Sequence, residues 1–125
     1  TENKKIVIID EQGFSRVCSA LLTDVGYCSE VIPSIDVLQS RLDTDEFGLI
    51  VISYPYGVSF YDKIKKQNLP TIILSDNIDG NLIALLNNFD NSYCMKKPLN
   101  YEKIRYLVKQ VMSGEMPTLK GYAIV

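Results

Sequence analysis

The chain has 125 residues, 46% of them hydrophobic and 22% charged, with a formal net charge of −2 and no histidine. That is the length of one domain with one real hydrophobic core. So mild a charge excludes a basic nucleic-acid groove and an anionic-membrane patch, and the missing histidine excludes His-based triads, His-ligated zinc and histidine phosphodonors.

Residues 5–9 (KIVII) form a continuous β-branched run, the pattern of a strand covered on both faces. From Phe14 the spacing turns helical. Phe14, Val17, Cys18, Leu21, Leu22 and Val25 share one face, and Gly26 caps the end. A short strand is expected around 28–32, after which Pro33 and Ser34 open a second helix that buries Ile35, Leu38 and Leu42. Residues 49–52 (LIVI) form the next buried strand, ended by Tyr54, Pro55, Tyr56 and Gly57. A short helix with Val58, Tyr61 and Ile64 leads through Pro70 to a strand over 71–74. The fourth helix carries Leu82, Ile83, Leu85, Leu86 and Phe89, and a brief fifth strand covers 93–95. The last helix buries Tyr101, Ile104, Leu107, Val108 and Val111.

Five successive βα units predict an α/β fold, a doubly wound five-stranded parallel sheet in a three-layer α/β/α sandwich. Residues 114–125 (GEMPTLKGYAIV) break the pattern and read as a linker or the start of a following segment, which leaves 1–113 as the domain. No stretch approaches the ~20 apolar residues that span a bilayer. Residues 1–5 run into the first strand without the apolar region of a signal peptide. Cys18, Cys28 and Cys94 show no CxxC spacing and are expected to be reduced and packed as small hydrophobes in a cytoplasmic protein.

In doubly wound folds the working site lies beyond the carboxyl ends of the strands. Asp10, Glu11, Ser53, Ser75 and Lys97 occupy those positions. Adjacent carboxylates such as Asp10 and Glu11 could hold a hard divalent cation through oxygen ligands. The plain alternative is Asp10 as a helix N-cap beside a solvated Glu11.

The third strand closes on LIVIS, the fourth on IILS at Ser75, and the fifth is followed by Lys96, Lys97 and Pro98. With this set of motifs in order, the chain from residue 4 to about 113 resembles the CheY-like response-regulator receivers of bacterial two-component systems, whose fold is the flavodoxin-like (βα)5 sandwich. The resemblance places Asp10 and Glu11 on the Mg²⁺-binding acids, Ser75 on the hydroxyl that senses the phosphoryl group, and Lys97 on its cationic partner. It also makes Lys97-Pro98 a cis peptide, a geometry cheap only before proline. The phosphoacceptor aspartate is replaced by Ser53. Cys94 stands at the switch-aromatic position, and Tyr93, one place off, should face the other way. The stretch 53–70 is shorter than in the family, so the third helix is expected to be cut back or shifted.

A serine hydroxyl is neutral and needs a base, for which Glu11 is the only nearby candidate; Asp62, on the third helix, should not reach. Losing a carboxylate weakens Mg²⁺ as well, so no cofactor is required and any Mg²⁺ binding is weak. The resemblance therefore implies a pseudo-receiver, a regulatory module that is not an enzyme, skips normal aspartyl phosphorylation and acts by protein contact. Its partners are a kinase, an output domain or another copy, met through the face of the fourth helix, fifth strand and fifth helix. Lys103, Tyr106 and Lys109 are the contact candidates there, against the plain alternative of a solvated helix face. Neither direct nucleic-acid contact nor a membrane is expected within these residues. Two other readings stand beside this one: a receiver fold that still binds Mg²⁺ or a phosphoryl or other anionic ligand, and an enzyme dependent on Ser53. The second lacks a G-x-S-x-G elbow, the local sequence being VISYPYG.

Overall fold

Each β-branched run of the sequence becomes a strand, and each amphipathic stretch the helix that returns the chain for the next. The structure is a computed structural model that describes residues 4–44, 47–56, 58–66, 69–97, 100–114 and 119–125, without the side chains of residues 12, 35, 43 and 44. The strands are β1 (Lys5–Ile9), β2 (Ser29–Val31), β3 (Phe47–Tyr54), β4 (Thr71–Ser75), β5 (Ser92–Lys96) and β6 (Tyr122–Ile124). The helices are α1 (Gln12–Asp24), α2 (Ile35–Thr44), α3 (Tyr61–Lys65), α4 (Gly80–Leu86) and α5 (Tyr101–Met112). All neighbours in the sheet are parallel, in the order β2-β1-β3-β4-β5-β6. The doubly wound α/β sandwich expected from the sequence is the fold observed.

Alternation along the strands divides the core into two layers. Val7, Ile9, Ile52, Ile73 and Cys94 pack with residues of α2, α3 and α4, while Ile6, Ile8, Val51, Ile72 and Tyr93 pack with α1 and α5. Tyr93 and Cys94 therefore face opposite ways, as expected.

Residues 114–125 hold more than the linker or following segment read from the sequence. Tyr122–Ile124 lie parallel to residues 92–94 and extend the five-stranded core to six strands. Side chains ahead of β5 fix this segment. Asp90 Oδ1 accepts the Gly121 N–H at 2.9 Å, and Asn91, in the left-handed region at φ 56°, accepts the Leu119 N–H at 3.2 Å. A strand of three residues is too short to show a period, which is why the pattern did not reveal it.

Smaller departures concern helix faces. Val17 and Tyr101 are 44% and 50% exposed, because Val17 lies at the margin of the α1 stripe and Tyr101 opens α5 before its face reaches the sheet. Cys18 and Cys94 are buried but Cys28, in the turn before β2, is exposed; all three are free thiols. The third helix is cut back to the five residues of α3, entered through a 3-10 turn at Val58–Phe60 in which Phe60 is buried and Val58 is half exposed. Among the described residues no helix is long and apolar enough to cross a membrane.

Candidate functional site: a paired carboxylate at the strand ends

Parallel pairing sets the carboxyl ends of the central strands side by side, with Ile9 opposite Ile52, Tyr54 opposite Ser75 and Ser75 opposite Lys96. Residues just beyond these ends become neighbours even when they are far apart in sequence, as Asp10 and Lys97 are at a separation of 87.

Asp10 is 3% exposed. Its Oδ1 accepts the Glu11 N–H at 2.7 Å, and the Lys97 ammonium donates to the same oxygen at 3.4 Å. The ammonium stands 3.1 Å from Oδ2, which makes no hydrogen bond of good geometry among the described residues, so the ion pair is its compensation. Lys97 Nζ also lies 4.3 Å from the centroid of the Phe14 ring, a cation–π contact. The Lys97 backbone N–H donates to the Ser75 carbonyl at 2.8 Å. The first turn of α1 is fastened to the same point, since the buried Ser15 hydroxyl donates to the Asp10 carbonyl at 2.9 Å.

Glu11 is exposed and is the N-cap residue of α1, with no side-chain capping bond. Asp10 is therefore not the helix cap of the plain reading; its carboxylate turns to the lysine instead. One turn beyond Phe14, the Cys18 thiol is pushed up from 9.0 to about 12, first by burial and then by the Asp10 carboxylate, with Lys97 pulling the other way.

Ser53 is 2% exposed, and alternation with Val51 puts it on the α1 and α5 side of the sheet. Its Oγ has no hydrogen-bond partner among the described residues. Its carbonyl does have one, the Tyr61 phenol of α3 at 3.2 Å, whose ring meets Phe89 edge-on at 5.6 Å. Burial, then Cys94 and Tyr54, raise the Tyr61 pKa, which keeps the phenol a donor. Cys94 is fully buried on that side, and burial raises its thiol pKa too.

Ser75 alternates to the other face with Tyr54 and donates its hydroxyl to the Asn77 carbonyl. It lines a separate open hollow of about 270 Å³ with Tyr54, Pro55, Asp76 and Asp79. Tyr54-Pro55 is cis; the cis peptide expected at Lys97-Pro98 falls outside the described residues. Asp62 is solvent-facing, its side chain 90% exposed and 3.6 Å from Lys65, and does not reach the site. On the outer side of α5, Lys103, Tyr106 and Lys109 are all exposed, and β6 pairs along β5, so β5 offers no free edge on that side.

The fold thus brings Asp10 and Lys97 into contact, leaves Glu11 in solvent and turns Ser75 aside. Phe14, Ser15, Cys18 and Tyr61 were not anticipated as site residues; the only sequence signal was that Phe14 begins the apolar stripe of α1 within a turn of the acidic pair. A Mg²⁺ site needs one or two carboxylates free to face the ion. Asp10 already holds an ammonium and an N–H, Ser53 is neutral, and no three His, Cys, Asp or Glu side chains gather among the described residues. This donor set does not fit a divalent ion while the lysine stands on Asp10.

No family model matches the sequence, and no curated protein matches it. Solved structures do match. A two-component response regulator from Clostridium difficile superposes with a TM-score of 0.77 at 20% identity, covering 91% of this chain and 99% of its own. A CheY-like response regulator receiver domain protein from Methanospirillum hungatei JF-1 gives 0.73 at 17%, covering 90% and 96%. The signal receiver domain of a signal transduction histidine kinase from Syntrophus aciditrophicus gives 0.74 at 19%, covering 89% and 91%. The chain has the receiver fold.

Proposed function

We propose that this chain is a regulatory receiver-fold module of two-component signalling that is not phosphorylated on aspartate and works by protein contact, without enzymatic activity of its own. The observation that carries the reading is Ser53. At the end of β3, where an acceptor carboxylate would stand, a buried neutral hydroxyl has no partner and no base beside it among the described residues. An unactivated serine is a weak nucleophile, and Asp10, the acid buried at the same rim, is occupied by Lys97.

The partner is a kinase, an output domain or another copy of the chain, met through the face of α4, β5 and α5 around Lys103, Tyr106 and Lys109, where β6 now covers the edge of β5. Exposed Tyr106, at 66%, supplies the aromatic anchor that such contacts favour. Neither nucleic acid nor membrane is part of the proposal, and free thiols at Cys18, Cys28 and Cys94 support a reducing cytoplasmic setting.

Intact mass spectrometry after incubation with acetyl phosphate and MgCl₂ tests this reading. The expected result is unmodified protein. A phosphoryl adduct mapped to Ser53, Asp10 or Glu11 would overturn it.

A further inference from the structure

We infer that Lys97 is the resident cation of this site: its ammonium takes the place on Asp10 that a divalent ion would need, and holds the pocket in one charge state with no exogenous ligand. The inference rests on the reading of the chain as a non-phosphorylated receiver fold and deepens it by naming what replaces the ionic input.

A carboxylate whose side chain is 1% exposed must be compensated. The Glu11 N–H serves only Oδ1, at 2.7 Å. The other oxygen has the ammonium, 3.1 Å away and itself only 19% exposed. Phe14 holds the ammonium from the side, and the Lys97 N–H bond to the Ser75 carbonyl fixes the chain behind it. One lysine thus links the ends of β1 and β4 with the start of α1. A divalent ion approaching Asp10 meets a positive charge at contact distance from both oxygens, and repulsion at that range opposes its binding. Ser53 adds no charge to offset this.

Removing the ammonium and keeping the carboxylate should therefore create a metal site that the wild-type chain lacks. Wild type and Lys97→Met, both as the full chain, are titrated with MgCl₂, with thermal melting followed by circular dichroism and the Glu11 and Ser53 amides by NMR. Wild type is expected to be indifferent to millimolar Mg²⁺. Lys97→Met is expected to melt lower in EDTA, to regain Tm with Mg²⁺, and to bind the ion on the order of tenfold or more tightly than wild type. Adding Asp10→Asn should abolish that response.

A folded Lys97→Met that ignores Mg²⁺ overturns the inference, as does wild-type protein that binds the ion equally well. If Lys97→Met is unfolded in EDTA, refolding on addition of MgCl₂ supports the inference and failure to refold overturns it. A phosphoryl adduct on wild type sinks the non-phosphorylated reading itself. Unmodified wild type together with a Mg²⁺-indifferent Lys97→Met sinks this inference alone.

Discussion

The two faces of the strand-end rim treat the same kinds of residue in opposite ways. On the α1 and α5 face, Asp10, Cys18 and Ser53 are buried with Lys97 only partly exposed, and the acid is neutralised by that lysine from just beyond β5. On the α2 to α4 face, Asp76 and Asp79 are exposed beside Tyr54 and Ser75, and water does the neutralising. Burial decides which charges belong to the architecture. An acid in the closed face needs a named partner, whereas one in the open face needs only a local backbone task.

The largest expected effect breaks the closed face. Lys97→Ala strands a buried carboxylate and should lower stability by about 3–5 kcal/mol in urea denaturation. A loss below about 1 kcal/mol would mean that Asp10 is solvated and that the two faces do not differ. A second test uses alkali. The Cys18 thiol stays protonated in the fold to about 12 against an ordinary 9.0, so the folded state holds its proton more tightly. That stability is fully present below about pH 9 and is lost as pH rises toward 12, at up to about 1.4 kcal/mol per pH unit. Denaturation curves from neutral to alkaline pH should fall less steeply for Cys18→Val, leaving the share owed to Tyr61 and Cys94.

On the open face the effects are smaller. Asp79 Oδ1 accepts the Leu82 N–H at 2.9 Å and caps α4, so Asp79→Ala should cost about 1 kcal/mol. Asp79→Asn should behave like wild type, since an amide oxygen caps equally well; a loss with asparagine would show that charge, not capping, matters there. The smallest change is expected at Ser53. Ser53→Ala removes an unpartnered buried hydroxyl and should be neutral or stabilising by up to about 1 kcal/mol. A clear destabilisation would reveal a partner for that hydroxyl.

β1, β3 and β4 were legible because each is a run of β-branched residues with no competing period, and α5 because Ile104, Leu107 and Val108 keep helical spacing. β6 was not, since three residues carry no pattern and its anchors, Asp90 and Asn91, lie about thirty positions away. At the site, the strand-end rule alone picks out Asp10, Ser53, Ser75 and Lys97 from the sequence. It could not tell which would touch. That depends on which face of its strand each side chain leaves, and on an α1 register that places Phe14 under the ammonium.

β5 ends at Lys96, while Tyr122–Ile124 follows only after the whole of α5, so the sheet stays unfinished until that strand docks. Until it closes, residues 92–94 present an open row of backbone groups, the kind of margin to which a neighbouring nascent chain can add itself. Asp90 and Asn91 emerge ahead of that margin and already hold the acceptors that Gly121 and Leu119 will find. A released chain cut back to the end of α5 leaves the seam of the sheet open, and one that runs through residue 124 sews it shut.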